Sequence, residues 1–381
     1  MEILGIVLSV GLIVALLVES FETIVVPRRV VHRFRYARLY YRISWQAWRK
    51  FAALFASQKQ REAMLSWFGP LSLLGLFASW ALGLVFAFGL LHWSIHSPLQ
   101  SPGHNESLGT YLYMSGVTFF TLGYGDVCPL AGFGRTLAVA ECGMGFCFLA
   151  GLISYLPLFS QAFSRREATI ALLDARAGSP PSASQMLLRL AQSGNIRAID
   201  PFLAEWERWC AELLESHLSY PLLSFYRSQH YNQSWLAALT VILDTCSFLI
   251  VGIKGSEAYQ AQLTFAMARH AAVDLSLVMN VSPMPLAADR LPPDQLRGLR
   301  DQLLRAGIEL HEGEMVDAQI GHLRGMYEPF VNGLAERLLF TLPAIVPAKE
   351  SADNWQRSPS MPRTPGIGSL PGGAVDQTHF G

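Results

Sequence analysis

Thr121-Leu122-Gly123-Tyr124-Gly125-Asp126 is a glycine-punctuated hexapeptide between two long apolar runs. The residues just before it, 111–120, read as a short helix, so the local order is helix, short helix, irregular strand, helix. Non-helical backbone at membrane depth is tolerated only where it is buried in protein or lines a water- or ion-filled path. The order therefore predicts a re-entrant loop. The rest of the chain reads as what carries, orients or controls it.

Working outward, residues 67–95 and 135–160 are each long enough to cross a bilayer with some tilt. Trp67 and Trp93 stand near the ends of the first, as interfacial anchors do. Residues 1–27 supply a further apolar span. Its start, Met1-Glu2, lacks the positive charge of a signal peptide, so it reads as a transmembrane helix carrying Glu19 and Glu22 near its end. Residues 28–65 form a basic linker. Arg28, Arg29, Arg33, Arg35, Arg38, Arg42, Arg49, Lys50, Lys59 and Arg61 occur with no acid among them, interleaved with aromatics. Basic loops stay cytoplasmic, and Ser164-Arg165-Arg166 after the last span gives the same sign. The expected topology puts the N-terminus outside and everything after 164 in the cytoplasm. Basic heads on aromatic bodies also suit a helix lying among anionic lipid headgroups; plain topology signal explains the same charges.

Composition agrees with a membrane segment joined to a soluble one. Of 381 residues, 51% are hydrophobic and only 15% charged, and mean hydropathy is positive. Zero net charge gives no reason to expect nucleic acid. Five scattered cysteines show neither a disulfide framework nor a metal spacing. Asn105-Glu106-Ser107 fits a glycosylation triplet, which an exposed loop carries by default.

The chemistry of the loop follows from its glycines. An ordinary strand alternates its carbonyls. Glycine enters positive φ cheaply, so Gly123 and Gly125 let the carbonyls of Thr121, Leu122, Gly123 and Tyr124 face one axis, with the Thr121 hydroxyl innermost. Such oxygens replace the hydration shell of potassium when four loops form a ring. This chain has one loop, so a homotetramer is expected. The 111–120 helix would turn its negative end toward the inner cavity. Asp126 would stand at the outer mouth and concentrate cations. Tyr124 would face away from the ion and pack on Phe119.

The run Ser115-Gly116-Val117-Thr118-Phe119-Phe120-Thr121-Leu122-Gly123-Tyr124-Gly125-Asp126, with Gly134-Arg135 and an apolar helix after it, resembles the pore domain of potassium channels. It is most similar to bacterial channels of this simple pore and to the two-pore-domain type. The resemblance implies an outer helix at 67–95, a pore helix at 110–120, a selectivity filter at 121–126 and an inner helix at 135–160. It makes Thr121, Leu122, Gly123 and Tyr124 the potassium ligands and Gly125 the residue that completes the filter. Gly145 falls where the family has a hinge glycine; close helix packing is the other reading. Leu122 stands in place of the usual valine or isoleucine, and Phe120 where a second threonine is common. Glu141, an acid inside a span, is expected to hydrogen-bond near the base of the pore helix and to influence gating, or to tie helices together. Pro157 either kinks the inner helix near its cytoplasmic mouth or ends its straight section.

Residues 164–349 read as a helical cytosolic domain, and 350–381, rich in Pro, Ser and Gly, as a disordered tail. Asp200-Pro201 looks like a cap opening a helix at 202–217. Further helices are expected at 234–253, 256–279, 294–305 and 314–340. The 234–253 stretch is apolar enough to span, but Asp244 and Thr245 in its middle favour a buried helix. His217, His230, His270, His311 and His322 show no ligand spacing, and Glu205, Glu207, Glu212 and Glu215 with Arg208 read as a solvated face. No nucleotide-binding Gly-x-Gly-x-x-Gly follows a strand, so the ligand of this domain is unspecified.

The expected fold is thus an all-α membrane protein: a potassium-channel pore domain at 66–163, an extra N-terminal transmembrane helix and a helical cytosolic C-terminal domain. The expected activity is passive, non-enzymatic potassium conduction across the plasma membrane, with no cofactor. A second reading makes it a membrane sensory or regulatory protein whose pore region is mainly an oligomeric anchor.

Overall fold

The computed structural model describes residues 2–24, 36–101, 107–192, 196–228, 232–254, 258–285 and 289–348. Arg28, Arg29, Arg33, Arg35, His230, Asn105, Glu106 and the 350–381 tail lie outside the described residues. The chain divides into two compact units, Met1–Gln161 and Ala162–Gly381.

The first unit is built on α1 (Glu2–Ile24), α2 (Tyr36–Ala52), α3 (Gln58–Ser94), α4 (Leu108–Phe119) and the first part of α5 (Gly132–Ala177). The helices α1, α3 and α5 are long and apolar enough to cross a membrane. α3 begins nine residues before Trp67 and runs through Pro70, so Trp67 lies inside the helix rather than at its end. α2 packs on α3 through Trp45, whose ring centroid is 4.8 Å from that of Phe68. Trp48 Nε1 donates to Met64 O at 3.0 Å. The N-terminus of α2 is held by α1: Ala37 N–H donates to the buried Glu19 carboxylate at 2.9 Å. A carboxylate on the first free N–H groups of a helix satisfies an orphan donor and complements the dipole. Glu19 therefore has a structural partner that no local sequence signal announces.

α4 starts at its N-cap, Ser107, whose side chain accepts from Thr110 N. Beyond the loop, the short strands β1 (Leu99–Gln100) and β2 (Cys128–Pro129) pair antiparallel. They tie the segment after α3 to the segment before α5. Helix α5 continues unbroken through Gly145 and Pro157 to Ala177, so the helix expected over 135–160 extends past 160.

In the second unit the remainder of α5 is joined by α6 (Ala183–Gln192), α7 (Ile199–Ser219), α8 (Trp235–Ser247), α9 (Tyr259–Val278), α10 (Pro293–Arg305), α11 (Glu314–Gly325) and α12 (Glu328–Leu338). α8 is the core. It is capped by Ser234, which accepts from Ala237 N at 3.0 Å, and continues as a π-helical turn, Phe248–Gly252. Trp235–Gly252 passes for a fourth span by length and composition, yet every residue of α8 is buried inside this unit. Asp244 explains how an acid sits there: Arg290 Nη2 donates to its Oδ2 at 2.7 Å, and Tyr327 hydroxyl donates to its Oδ1. Arg290 also reaches Glu328 at 3.1 Å, and Arg324 bridges Glu328 and Asp289. Burial works against charge on Arg290, but the carboxylates of Asp244 and Glu328 around it hold the guanidinium charged.

Two expectations for this unit need correction. Asp200 and Pro201 lie inside the first turn of α7 instead of capping it from outside. The single helix expected over 314–340 is broken between α11 and α12, where Tyr327 is fully buried and turns its hydroxyl to Asp244.

Candidate functional site

The hexapeptide begins where α4 ends, and the ending itself shapes it. Phe120 is the C-cap and Thr121 follows with φ of 58°. Leu122 N–H donates to Val117 O at 2.9 Å, and Thr121 N–H to Thr118 O at 3.1 Å. This is the paired 6→1 and 5→2 arrangement that closes many helices, usually with glycine at the left-handed position. Here a threonine occupies it, a conformation L-residues other than Gly, Asn and Asp seldom adopt. The two turn bonds satisfy carbonyls that a helix C-terminus otherwise leaves open, so the negative end of α4 is partly covered by the loop's own N–H groups.

Gly123 and Gly125 then take φ of 63° and 76°. Positive φ thus recurs at every second residue, Thr121, Gly123 and Gly125. Such an alternation departs from the regular strand, whose uniform φ alternates the carbonyl directions. A Cβ on Gly123 or Gly125 would meet nothing within 4 Å. The glycines are there for backbone freedom, which space does not limit in the single chain.

All six residues, Thr121 to Asp126, are exposed in the single chain. Tyr124 is 67% exposed in the single chain. The Phe119 ring meets Phe120 and Phe148, at centroid distances of 5.4 and 6.0 Å. Phe120 is itself exposed. Asp126 is oriented by Tyr113, whose hydroxyl donates to Oδ2 at 2.9 Å. Behind the loop, Leu99, Tyr111, Met114 and Val127 form a small apolar cluster. Tyr111 hydroxyl donates to Ser97 O at 2.9 Å. The loop is therefore anchored on the α4 side and free on the other.

α5 meets α4 at two places, one turn apart on each helix. Glu141 bonds the Ser115 hydroxyl, and one turn further Gly145 meets the end of α4. A Cβ at Gly145 would lie 2.0 Å from Phe119 O. Of the two readings of Gly145, close helix packing is the one the contacts support. Pro157 is exposed within the unbroken helix. Glu141 is wholly buried and meets the middle of α4, at Ser115, rather than its base.

The sequence pointed to Glu141 and Gly145 but not to their partners. Ser115 and Tyr113 carry no mark of these roles in the sequence; their positions opposite the buried Glu141 and opposite Asp126 reveal them. Among the described residues no cluster of His, Cys, Asp or Glu is placed to hold a metal ion. In the second unit His217 is buried, with Nδ1 2.8 Å from Leu213 O and Nε2 3.3 Å from Arg166 Nη1. Nδ1–H donates to the carbonyl and Nε2 accepts from the guanidinium, so the ring is neutral. Burial, then the Arg166 charge, pushes its pKa well below the usual value.

Residues 80–159 match a family described as ion channel. The chain is 25% identical over 211 residues to the uncharacterized membrane protein YdjJ of Bacillus subtilis (strain 168), covering 52% of this chain and 57% of that protein. It is 41% identical over 59 residues to the protein LctB of Geobacillus stearothermophilus, covering 15% of this chain and 43% of the relative. LctB of Bacillus caldotenax is 28% identical over 91 residues, 21% of this chain and 67% of that protein. The chain thus spans only about half the length of the first two relatives. No solved structure gives a significant match.

Proposed function

We propose that this chain is one subunit of a potassium-selective channel, in which four copies surround a pore and each contributes the 121–126 loop. The observation that carries the reading is the alternation of positive φ at Thr121, Gly123 and Gly125, inside the segment that matches an ion-channel family. That alternation suits the stacking of the Thr121, Leu122, Gly123 and Tyr124 carbonyls along one axis, with Gly125 completing the filter. Carbonyl rings of this kind take the place of the ion's water, and adjacent occupied sites expel one another's ions.

Exposure supports the assembly. A loop of carbonyls open on one side cannot enclose an ion alone, whereas a ring of four can. The apolar α5 leaves Phe133, Val139, Phe146, Leu149 and Ile153 exposed, a face for lipid or for other copies. Orientation rests on the basic residues: α2 presents Arg42, Arg49 and Lys50 with exposed Tyr36, Leu39, Ile43 and Phe51, as a helix in an anionic cytoplasmic headgroup layer does. This supports an orientation with the N-terminus and Asp126 outside and the second unit in the cytoplasm, as the regulator of a plasma-membrane pore. Phe120, below the filter, and Gly145, against α4, are the places where such regulation would reach it.

The test is flux. The purified full chain in liposomes should carry barium-sensitive potassium flux, Gly123→Asp should abolish it, and light scattering should give the mass of four chains. No flux from the parent protein would overturn the channel reading and favour a sensory membrane protein with an oligomeric anchor.

A further inference from the structure

Three helices meet at one hydroxyl. Ser115 Oγ on α4 lies 2.7 Å from Val85 O on α3 and is hydrogen-bonded to Oε1 of Glu141 on α5. Ser115 and Glu141 are both fully buried within the single chain, so no further copy can reach them. Glu141 Oε2 has no hydrogen-bond partner among the described residues. No charged group among them faces Glu141 either: α4 offers the Ser115 hydroxyl and α3 the Val85 carbonyl.

Counting protons decides the state of the acid. A serine hydroxyl has one proton to give, a backbone carbonyl only accepts, and an ionised carboxylate only accepts. With Glu141 ionised, Ser115 would turn a lone pair toward one of its two oxygen neighbours. The charge would then sit in an apolar helix bundle with at most one hydrogen bond and no cation, among the costliest arrangements a protein can hold. One assignment satisfies every contact. Glu141 carries the proton and donates it to Ser115 Oγ, which donates its own to Val85 O. Oε2 is then the carbonyl oxygen of a neutral acid, and leaving it unpartnered costs far less than burying a charge.

We propose that Glu141 is held as a protonated, neutral donor, and that the chain Glu141→Ser115→Val85 locks α4 between α3 and α5. Glu141 is thereby a positioning residue for the loop. The route to the loop is short. One turn beyond Ser115, Phe119 O is seated against Gly145, and the turn that starts the 121–126 loop follows directly. The effect on conduction, unlike the protonation itself, rests on the channel reading.

Two measurements on the full chain in lipid test this. The infrared difference spectrum between parent and Glu141→Gln at neutral pH should contain the carbonyl stretch of a protonated carboxylic acid; carboxylate bands alone would overturn the proposal. In potassium flux, Glu141→Gln should stay within about twofold of the parent, because an amide N–H donates as the acid does. Glu141→Ala and Ser115→Ala should each fall by about tenfold, the worth of one buried hydrogen-bond link. Size-exclusion profiles would show all three assembling as the parent does. Loss in Glu141→Gln equal to that in Glu141→Ala would overturn the donor role. A protonated-acid band in a parent protein that carries no flux would uphold the protonation and overturn the channel reading instead.

Discussion

Two apolar helices each bury one acid, and they solve the problem in opposite ways. Asp244 in α8 has both oxygens partnered, by Arg290 and by Tyr327, with further carboxylates and Arg324 completing a network. Glu141 in α5 has, among the described residues, a single hydroxyl and no cation. The first is a charge held by a counter-charge; the second is a proton donor holding a helix. Burial alone says nothing about which solution is in force. The partners do, and they come from elsewhere in the chain: Arg290 is 46 residues from Asp244, and Ser115 is 26 from Glu141.

The same chemical change, acid to amide, should separate the two. Asp244→Asn removes the counter-charge from a buried guanidinium, and breaking such a pair costs about 3 kcal/mol or more. We expect a marked drop in melting temperature of the full chain, followed through tryptophan fluorescence of the second unit, whose core holds Trp206, Trp209 and Trp235. Glu141→Gln should leave the melting curve close to that of the parent. Equal losses from both substitutions would erase the distinction.

Gly145→Ala sharpens the first-unit side. The added Cβ would press on the backbone oxygen of Phe119, and backbone does not yield as a flexible side chain does. Overpacking of this kind costs about 1–3 kcal/mol. The expected result is reduced potassium flux with the protein still assembled; unchanged flux would show that α4 tolerates displacement.

His217 gives the second unit a neutral group to set beside Glu141. Its folded pKa lies well below the unfolded value of about 6.5. Above that pH the ring is neutral in both states and contributes no pH dependence. Below it the unfolded chain takes up a proton that the folded one refuses, so stability should fall by about 1.4 kcal/mol per pH unit until the folded ring titrates. Melting curves from about pH 7 to about pH 5 should show this slope in the parent and a flatter one in His217→Gln. A parent slope no steeper than the variant's would mean that the ring is charged in the folded state.

How much of the candidate site was legible depends on how local its causes are. The glycines at 123 and 125 announce a backbone that leaves the strand region, because their conformational freedom is intrinsic to the residue. Thr121 announces nothing of the kind. Its positive φ is imposed by the turn that closes α4. Gly145 was legible as a small residue in an apolar helix, but hinge and packing look alike until Phe119 O appears against it. Tyr124 is exposed in the single chain, and nothing in its local sequence announces that. In the second unit the break at Tyr327 has a local signal, Gly325 at the end of one helix and Pro329 in the first turn of the next, whereas the buried bond from Tyr327 to Asp244 has none.

The sequence by itself determined the apolar spans, the glycine-punctuated loop between them, the sign of the flanking charges and the helical character of the second unit. Each of these is a property of a residue or of its near neighbours in the chain. Only the tertiary structure decided which buried acid has a cationic partner, what Gly145 packs against, and how Asp244 is accommodated inside the apolar run at 235–252. Those answers depend on groups brought together from distant positions. A hydrogen bond, an ion pair or a close backbone approach exists only once the chain has folded.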